Sequence, residues 1–277
     1  MFTLLDEDMN VIPYPEGVVP LDIFVSSISK TRHDETVLGR AGVVDFGFDY
    51  TARNVELNLW VKAFDTTDYR LLRNEIYALF DKGSYFYVVE KKLPTRALKV
   101  AVDDSFIPER IQGTSRFAKI TITCRTLDKV FWESRYTTKE LNDTGYDAMV
   151  EKYGLVDGIN SDYTQYRFTD NNFEVYNAGN VTVRPEEHFI EITVGLLTSE
   201  DKFVIKNVTT GDVFEWNKPV TGRNIYIHGM SVMEGTAYNG LRNSNRRFIT
   251  LQPGINEFEV TGGTFNRITF NFKYLYK

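Results

Sequence analysis

The stretch that decides the fold of the first half of the chain is residues 54–83, NVELNLWVKAFDTTDYRLLRNEIYALFDKG. Its first part alternates between apolar and polar residues, which predicts a strand with one buried face. The period then changes to that of an amphipathic helix, which we predict over residues 67–82, with Thr67 as its N-cap and Gly83 as its stop. The apolar positions are Val55, Leu57, Leu59 and Val61 in the strand and Tyr69, Leu72, Ile76, Leu79 and Phe80 in the helix.

Further strands are predicted on both sides of this stretch. Residues 18–30 predict a strand, and residues 31–49, TRHDETVLGRAGVVDFGFD, predict a long loop or a hairpin arm. Three more alternating segments, SYFYVVEKK, RALKVAVDDSF and FAKITITCRTL, follow the helix. One helix that covers a mainly antiparallel sheet indicates an α+β domain, which we place at residues 1–140.

The second half is almost entirely strand, and short strands separated by turn residues predict a β-sandwich or barrel over residues 141–277. Its last stretch, residues 266–277, reads NRITFNFKYLYK. We predict that this stretch is the last strand of the sandwich and forms a hairpin with the preceding strand across Gly262 and Gly263. Residues 146–153 suggest a short helix near the domain boundary. The residues that alternate towards the core in the last stretch are Ile268, Phe270, Phe272, Tyr274 and Tyr276.

Composition and charge exclude several classes of protein. The 277 residues carry a net charge of −6, and neither half is basic, so we expect no nucleic-acid partner. No apolar run approaches the ~20 residues that span a bilayer, and the N-terminus lacks the pattern of a signal peptide. We therefore expect synthesis in a cytoplasm and no membrane insertion. The single cysteine, Cys124, is expected to be a buried, inert thiol.

Motifs for catalysis or for cofactor binding are missing from the sequence. There is no G-x-S-x-G, no phosphate-binding glycine loop and no dinucleotide fingerprint. His33, His188 and His228 lack the spacing of a zinc pair. We therefore expect no enzyme, no metal and no cofactor, but a binding or structural protein. The abundant carboxylates leave a hydrolase that degrades cell walls as a further hypothesis.

Aromatic residues in the second half suggest a carbohydrate-binding module as the alternative function. Trp216, Tyr226 and Tyr238 would stack on a sugar face if they were exposed. Alternating aromatic residues in a sandwich also pack in the core, so core packing is the alternative interpretation of these three residues.

Several motifs occur in the order that is typical of one family. DYTARNVELNLWV is followed by the helix YRLLRNEIYALF, by GSYFYVVEKKLPTRALKVAV and by ITITCRTLDKVFWES. The second half adds VYNAGNVTVRPEEHFIEITV, FVIKNVTTGDVF and FITLQPGINEFEVTGG. This order resembles the distal tail proteins of long-tailed, non-contractile bacteriophages.

The resemblance implies a structural component of the tail tip in the virion. It implies a ring-forming N-terminal domain with one helix and a C-terminal sandwich of the galectin-like or carbohydrate-module-like type. In the family, six copies form a hub ring between the tail tube protein and the tail-associated fibre or lysin protein, and receptor-binding proteins can attach to the ring. Residues 33–42, HDETVLGRAG, fall where the family has an arm that grips the neighbouring subunit.

Overall fold

The computed structural model describes residues 1–113, 115–144, 158, 160–238 and 240–277. The chain divides into two compact units, Met1–Trp132 with Lys277 and Glu133–Tyr276. The change of composition predicted a boundary after residue 140, whereas the division falls after Trp132. The short helix suggested at residues 146–153 lies outside the described residues.

The first unit is an antiparallel sheet with one helix. The strands in its main path follow the order β2-β1-β7-β8-β10-β6-β3, and β4 and β5 form a separate ribbon. The elements are β1 Phe2–Leu5, β2 Val11–Ile12, β3 Val18–Val25, β4 Lys30–Thr36, β5 Val43–Tyr50, β6 Asn54–Lys62, α1 Thr66–Phe80, β7 Phe86–Glu90, β8 Arg96–Ala101, β9 Glu109–Arg110 and β10 Phe117–Thr126.

The core of the first unit lies between the apolar face of the sheet and helix α1. The alternating residues of β6 are fully buried, as predicted, and Ile76 of α1 packs in the same cluster. The thiol of Cys124 is buried in this core as well, and burial raises its pKa to about 12. The sequence therefore correctly predicted both the strand and the buried face of the helix.

The ends of helix α1 differ from the prediction. The N-cap is Asp65, whose carboxylate accepts hydrogen bonds from the backbone N–H groups of Thr67 (2.7 Å) and Asp68 (2.8 Å). The prediction of Thr67 as the N-cap was wrong. Asp65, two residues earlier, accepts hydrogen bonds from helical N–H groups as well as Thr does, and it follows shortly after the end of strand β6. The helix ends at Phe80 and is capped by Asp81, so Gly83 is not its stop.

The second unit contains two antiparallel sheets, with strand orders β12-β21-β14-β17-β18-β19 and β13-β20-β15-β16. Strand β11 begins at the division and pairs with the last strand. The elements are β11 Trp132–Ser134, α2 Thr138–Thr144, β12 Arg167–Phe168, β13 Asn172–Asn177, β14 Ile190–Ser199, β15 Phe203–Asn207, β16 Val213–Trp216, β17 Val220–His228, β18 Ser231–Glu234, β19 Ala237–Tyr238, β20 Gly254–Thr261, β21 Arg267–Phe272 and β22 Leu275–Tyr276, with 3-10 turns at Ser161–Tyr163 and Gly240–Asn243.

The two sheets pack face to face as a β-sandwich. Phe173 and Phe258 belong to the four-stranded sheet, and both of their rings contact the ring of Phe270 in the six-stranded sheet. The side chains predicted to point inwards from the last stretch are all at most 4% exposed. The chain end is therefore a structural part of the sandwich, and the mainly β fold class is confirmed.

The predicted hairpin across Gly262 and Gly263 was wrong. Strand β20 pairs with β13 and β15, whereas β21 pairs with β12 and β14, so the two glycines connect the two sheets. The alternation of a strand gives its buried face but does not say which sheet it joins. The last stretch is also interrupted, since β21 ends at Phe272 and β22 resumes at Leu275.

Residues 133–144 belong to the second unit because they bond to its last strands. The backbone N–H of Ser134 donates to the carbonyl of Tyr274. Thr138, at the start of α2, donates its hydroxyl to the carbonyl of Phe270 and accepts from the N–H of Phe272. The start of this short helix therefore hydrogen-bonds to backbone groups at the end of β21. In the described part of the chain, no helix has both the length and the apolar character needed to cross a membrane.

Candidate assembly surface

The feature of the first unit that stands out is a two-stranded ribbon, β4 and β5, which we call the arm. It continues the ladder of the core strands β3 and β6 without a long linker. The N–H of Ser26 donates to the carbonyl of Asn54, that of Ser29 to Ala52, and that of Thr51 to Ser29. The arm is therefore a direct extension of two core strands, and the hairpin alternative of the sequence analysis is the correct one.

Side chains reinforce the arm across its two strands. Arg32 Nη1 lies 2.8 Å from the carboxylate of Asp45, and His33 Nε2 lies 2.7 Å from that of Asp49. At the base, the ammonium group of Lys30 lies 4.3 Å from the centre of the Phe48 ring. Surface pairs of this kind contribute little singly, but a two-stranded ribbon is marginally stable in water and needs such support.

The arm exposes large apolar side chains instead of burying them. Every residue of β4 is exposed, Leu38 at the tip is fully exposed, and Phe46 in β5 is 65% exposed. Val37, Val43 and Phe48 are exposed as well. Several large exposed apolar side chains on one short ribbon are a feature of interaction sites. The geometry of the arm therefore suits contact with another protein surface.

Strand β3 offers a second exposed apolar strip in the same unit. It stands at the end of the strand order, and its side chains Val19, Leu21 and Phe24 are exposed by 40–55%. An edge strand of this kind can accept a partner strand or an apolar segment. Sequence reasoning did not single out these residues or Leu38, because their exposure depends on which strands lack a neighbour, and that is a non-local property.

The residues predicted to stack on a sugar do not form one platform. Trp216 lies in β16 of the four-stranded sheet and is completely buried, so its indole packs in the core. Tyr226 lies in β17 of the other sheet, where it is half-buried and its hydroxyl accepts a hydrogen bond from Asn224 (3.0 Å). The backbone of Tyr238 pairs with Met233 in that sheet, and its side chain lies outside the described part of the chain.

The described residues contain no group of three or more histidine, cysteine, aspartate or glutamate side chains arranged to hold a metal ion. Asp103 and Arg125 instead form an ion pair at the surface, as do Lys99 and Asp128. The exposed apolar side chains of the first unit lie on the arm and on the edge strand β3.

Comparison with known families finds a match, and it lies in the first unit. Residues 16–124, which contain the arm, β3 and α1, match the family described as the phage tail protein RIFT-related domain. We call the first unit, which carries this match, the tail domain. Among solved structures, the Dit protein (gp 19.1) of phage SPP1 has the same overall fold, with a TM-score of 0.68 at 14% identity over 99% of each chain. Its description calls it a paradigm of the hub adsorption apparatus in phages that infect Gram-positive bacteria.

Two structures of the phage p2 baseplate in its activated conformation match at lower similarity. The form with strontium gives a TM-score of 0.45 at 12% identity, over 98% of this chain and 97% of that one. The form with calcium gives 0.47 at 10% identity, over 99% and 97%. No curated protein sequence matches the chain. The resemblance to distal tail proteins, stated from the order of the sequence motifs, is confirmed by the family match of the tail domain and by the fold shared with SPP1 Dit.

Proposed function

We propose that this protein is a structural hub of a phage tail tip, in which copies of the tail domain form a ring. The observation that carries the proposal is the arm of the tail domain. Its core-anchored base and its exposed apolar tip suit a segment that lies on a neighbouring copy, with Leu38 and Phe46 as the buried contacts. Contact of this kind is heterologous, and a heterologous contact closes a ring when repeated rotation brings the last copy back to the first.

The ring would hold six copies, as the resemblance to the distal tail family implies. One side of the ring would meet the tail tube protein and the other the tail-associated fibre or lysin protein. The sandwich, which follows the tail domain in sequence, would be available for receptor-binding proteins. The protein would act in the virion at the tail tip, without catalytic turnover, after synthesis in the host cytoplasm.

The ring is tested by measuring the mass of the full chain by light scattering over a wide range of concentration. The expected result is a species of about six times the 32.0-kDa monomer, visible as rings by electron microscopy. Addition of the purified tail tube protein should stabilise the rings. A chain that stays monomeric at every concentration, and that forms no rings with the tube protein, would exclude the hub.

The location is tested separately on virions. Gold-labelled antibodies against the sandwich should mark the tip of the tail, distal to the tube. Labelling of the capsid or along the length of the tube would contradict the proposed position even if the isolated chain formed rings.

A further inference from the structure

A cleft of about 430 Å³ lies in the first unit, between the hairpin of β1 and β2 and the end of helix α1. Its volume falls within the range of sites that bind ligands. Leu79 and Phe86 form its floor and are each 7% exposed, and the half-buried side chains of Ile12 and Phe80 lie beside them. Val11 also lines the cleft and is 63% exposed. The cleft therefore leaves apolar surface open to water.

The rim of this cleft is negatively charged. Three carboxylates of the β1–β2 turn, Asp6, Glu7 and Asp8, stand there against one lysine, Lys82. Asp6 fixes the turn, because its carboxylate accepts hydrogen bonds from the backbone N–H groups of Asp8 (2.9 Å) and Asn10 (2.8 Å). Within the described residues none of the three carboxylates forms an ion pair. The last turn of α1 has no basic residue, so the partial negative charge of its end adds to theirs.

The tip of the arm has the complementary chemistry. The backbone N–H of Arg40 donates to the carbonyl of Val37 (3.1 Å), and Gly39 has the φ of +84° that a type II turn requires at its third residue. Leu38 lies at the corner of this turn and is fully exposed. Arg40 is exposed as well and forms no ion pair in the described part of the chain. The turn therefore presents an apolar side chain and a cation two residues apart.

The tip and the cleft belong to different ends of the strand order. The arm continues β3 and β6, whereas the cleft is formed at β2, β1 and β7. The seven residues of β4 extend for about 23 Å, which is enough to cross the boundary between two adjacent copies. Leu38 and Val11 are both exposed, so the tip does not fill the cleft of its own copy. A contact between tip and cleft would join unlike surfaces of two copies, as a ring requires.

We propose that this cleft receives the tip of the arm of a second copy. Leu38 enters the apolar floor, and the guanidinium group of Arg40 lies among the carboxylates of the rim, where it can form paired hydrogen bonds. The turn at the tip is formed before contact, which lowers the entropic cost of binding. This inference rests on the proposed ring, because it names the surface that the arm contacts.

The test reverses the charges of the two surfaces in two separate full-length chains. Arg40→Glu places a carboxylate on the tip, and Glu7→Lys/Asp8→Lys leaves the rim with three lysines against Asp6. Each variant alone brings like charges together and should self-associate more weakly by about ten-fold or more in sedimentation velocity. An equimolar mixture should recover the mass of the unchanged protein, because each tip then meets a cleft of opposite charge in alternating order.

The control Glu200→Lys/Asp201→Lys reverses the same two residue types at adjacent, exposed positions of the sandwich. It should associate as the unchanged protein does. Thermal melts show that each variant is folded. Glu7 accepts a hydrogen bond from the hydroxyl of Ser84 (3.3 Å), so Asp8→Lys alone replaces the double variant if that melt is lowered.

The outcomes separate the cleft from the ring. Loss of association in each variant alone, with recovery in the mixture, supports the proposal. Normal association of either variant, no recovery in a mixture of folded variants, or an equal loss in the control would overturn the cleft as the acceptor and leave the ring in place. An unchanged protein that stays monomeric would instead remove the ring, and the acceptor site with it.

Discussion

The rings of Phe258 and Phe270 lie 4.9 Å apart although the strands that carry them belong to different sheets. These strands are consecutive in the chain, so the short segment between them must turn from one sheet to the other. Gly262, with φ = +83°, makes this turn, and a side chain there would overlap the carbonyl oxygen of Lys202. The contact between the two rings therefore depends on a glycine at the corner.

Gly262→Ala is expected to destabilise the sandwich. An alanine at this φ costs about 1 kcal/mol or more in backbone strain, and the overlap with Lys202 adds to it. The control is Gly211→Ala, which has φ = +80° but open space around the position, so it carries the strain alone. Calorimetry should show a larger fall in the Tm of the sandwich for Gly262→Ala. Equal falls for the two variants would mean that the corner tolerates a Cβ.

The arm variant Leu38→Ser/Phe46→Ser is expected to lose self-association while its Tm stays unchanged. Both side chains are exposed in the isolated chain, so replacing them removes no core contact. Sedimentation velocity measures the mass, and circular dichroism measures the Tm.

Met230→Ser is the control for the arm variant. Met230 is 57% exposed and lies in a turn of the sandwich, away from the arm in sequence. This variant should assemble as the unchanged protein does. If both variants assemble normally, the arm is not the contact between copies.

Asp65→Ala is expected to destabilise the tail domain by about 0.5–2 kcal/mol, because two N–H groups of the first helical turn lose their acceptor. Thr67→Ala should have a smaller effect, since Thr67 contributes its backbone N–H to the cap and alanine retains that group. Urea denaturation gives both free energies. A larger loss of stability for Thr67→Ala than for Asp65→Ala would show that Thr67 is the N-cap, as predicted from the sequence.

Cys124 is expected to be unreactive in the folded protein at pH 8. Burial, with a smaller contribution from the charge of Asp103, raises its pKa to about 12. Only the thiolate reacts, so the rate with a disulfide reagent should be much lower than that of the urea-unfolded chain. Rapid labelling of the folded protein would show that the core opens around this strand.

The same shift makes stability depend on alkaline pH. Between pH 9 and 12 the unfolded thiol loses its proton while the folded one keeps it. The unfolded chain therefore binds fewer protons, and the free energy of unfolding falls as the pH rises through this interval. Cys124→Ala should weaken this part of the pH dependence.

The sequence predicted those parts of the fold that are set by local periodicity. The buried residues of β6, the apolar face of α1 and the inward side chains of the last stretch all follow from periods of 2 or 3.6 residues. The N-cap was missed by two residues because Asp65 and Thr67 are both suitable acceptors. The prediction that β20 forms a hairpin with β21 was wrong. Two consecutive glycines can make a hairpin turn within one sheet and can equally connect two different sheets.

The candidate surfaces were less predictable, because they depend on what the fold leaves uncovered. Trp216 and Phe46 both alternate with polar residues, yet one is fully buried and the other is 65% exposed. The difference lies in whether a second sheet covers the strand, and no local pattern encodes that. The cleft beside the end of α1 likewise brings residues such as Asp8 and Phe86 together, although they are far apart in the chain.

The way in which the arm joins the core has a mechanical consequence. Because its ladder runs into β3 and β6, a pull on the tip of the arm passes along continuous backbone and not through a hinge. Strand β6 pairs with β10 over nine consecutive residues, so this force loads those hydrogen bonds in shear. Bonds loaded in shear must break together, whereas bonds pulled open from one end break in succession. A pull on the arm would therefore meet high resistance at its junction with the core sheet.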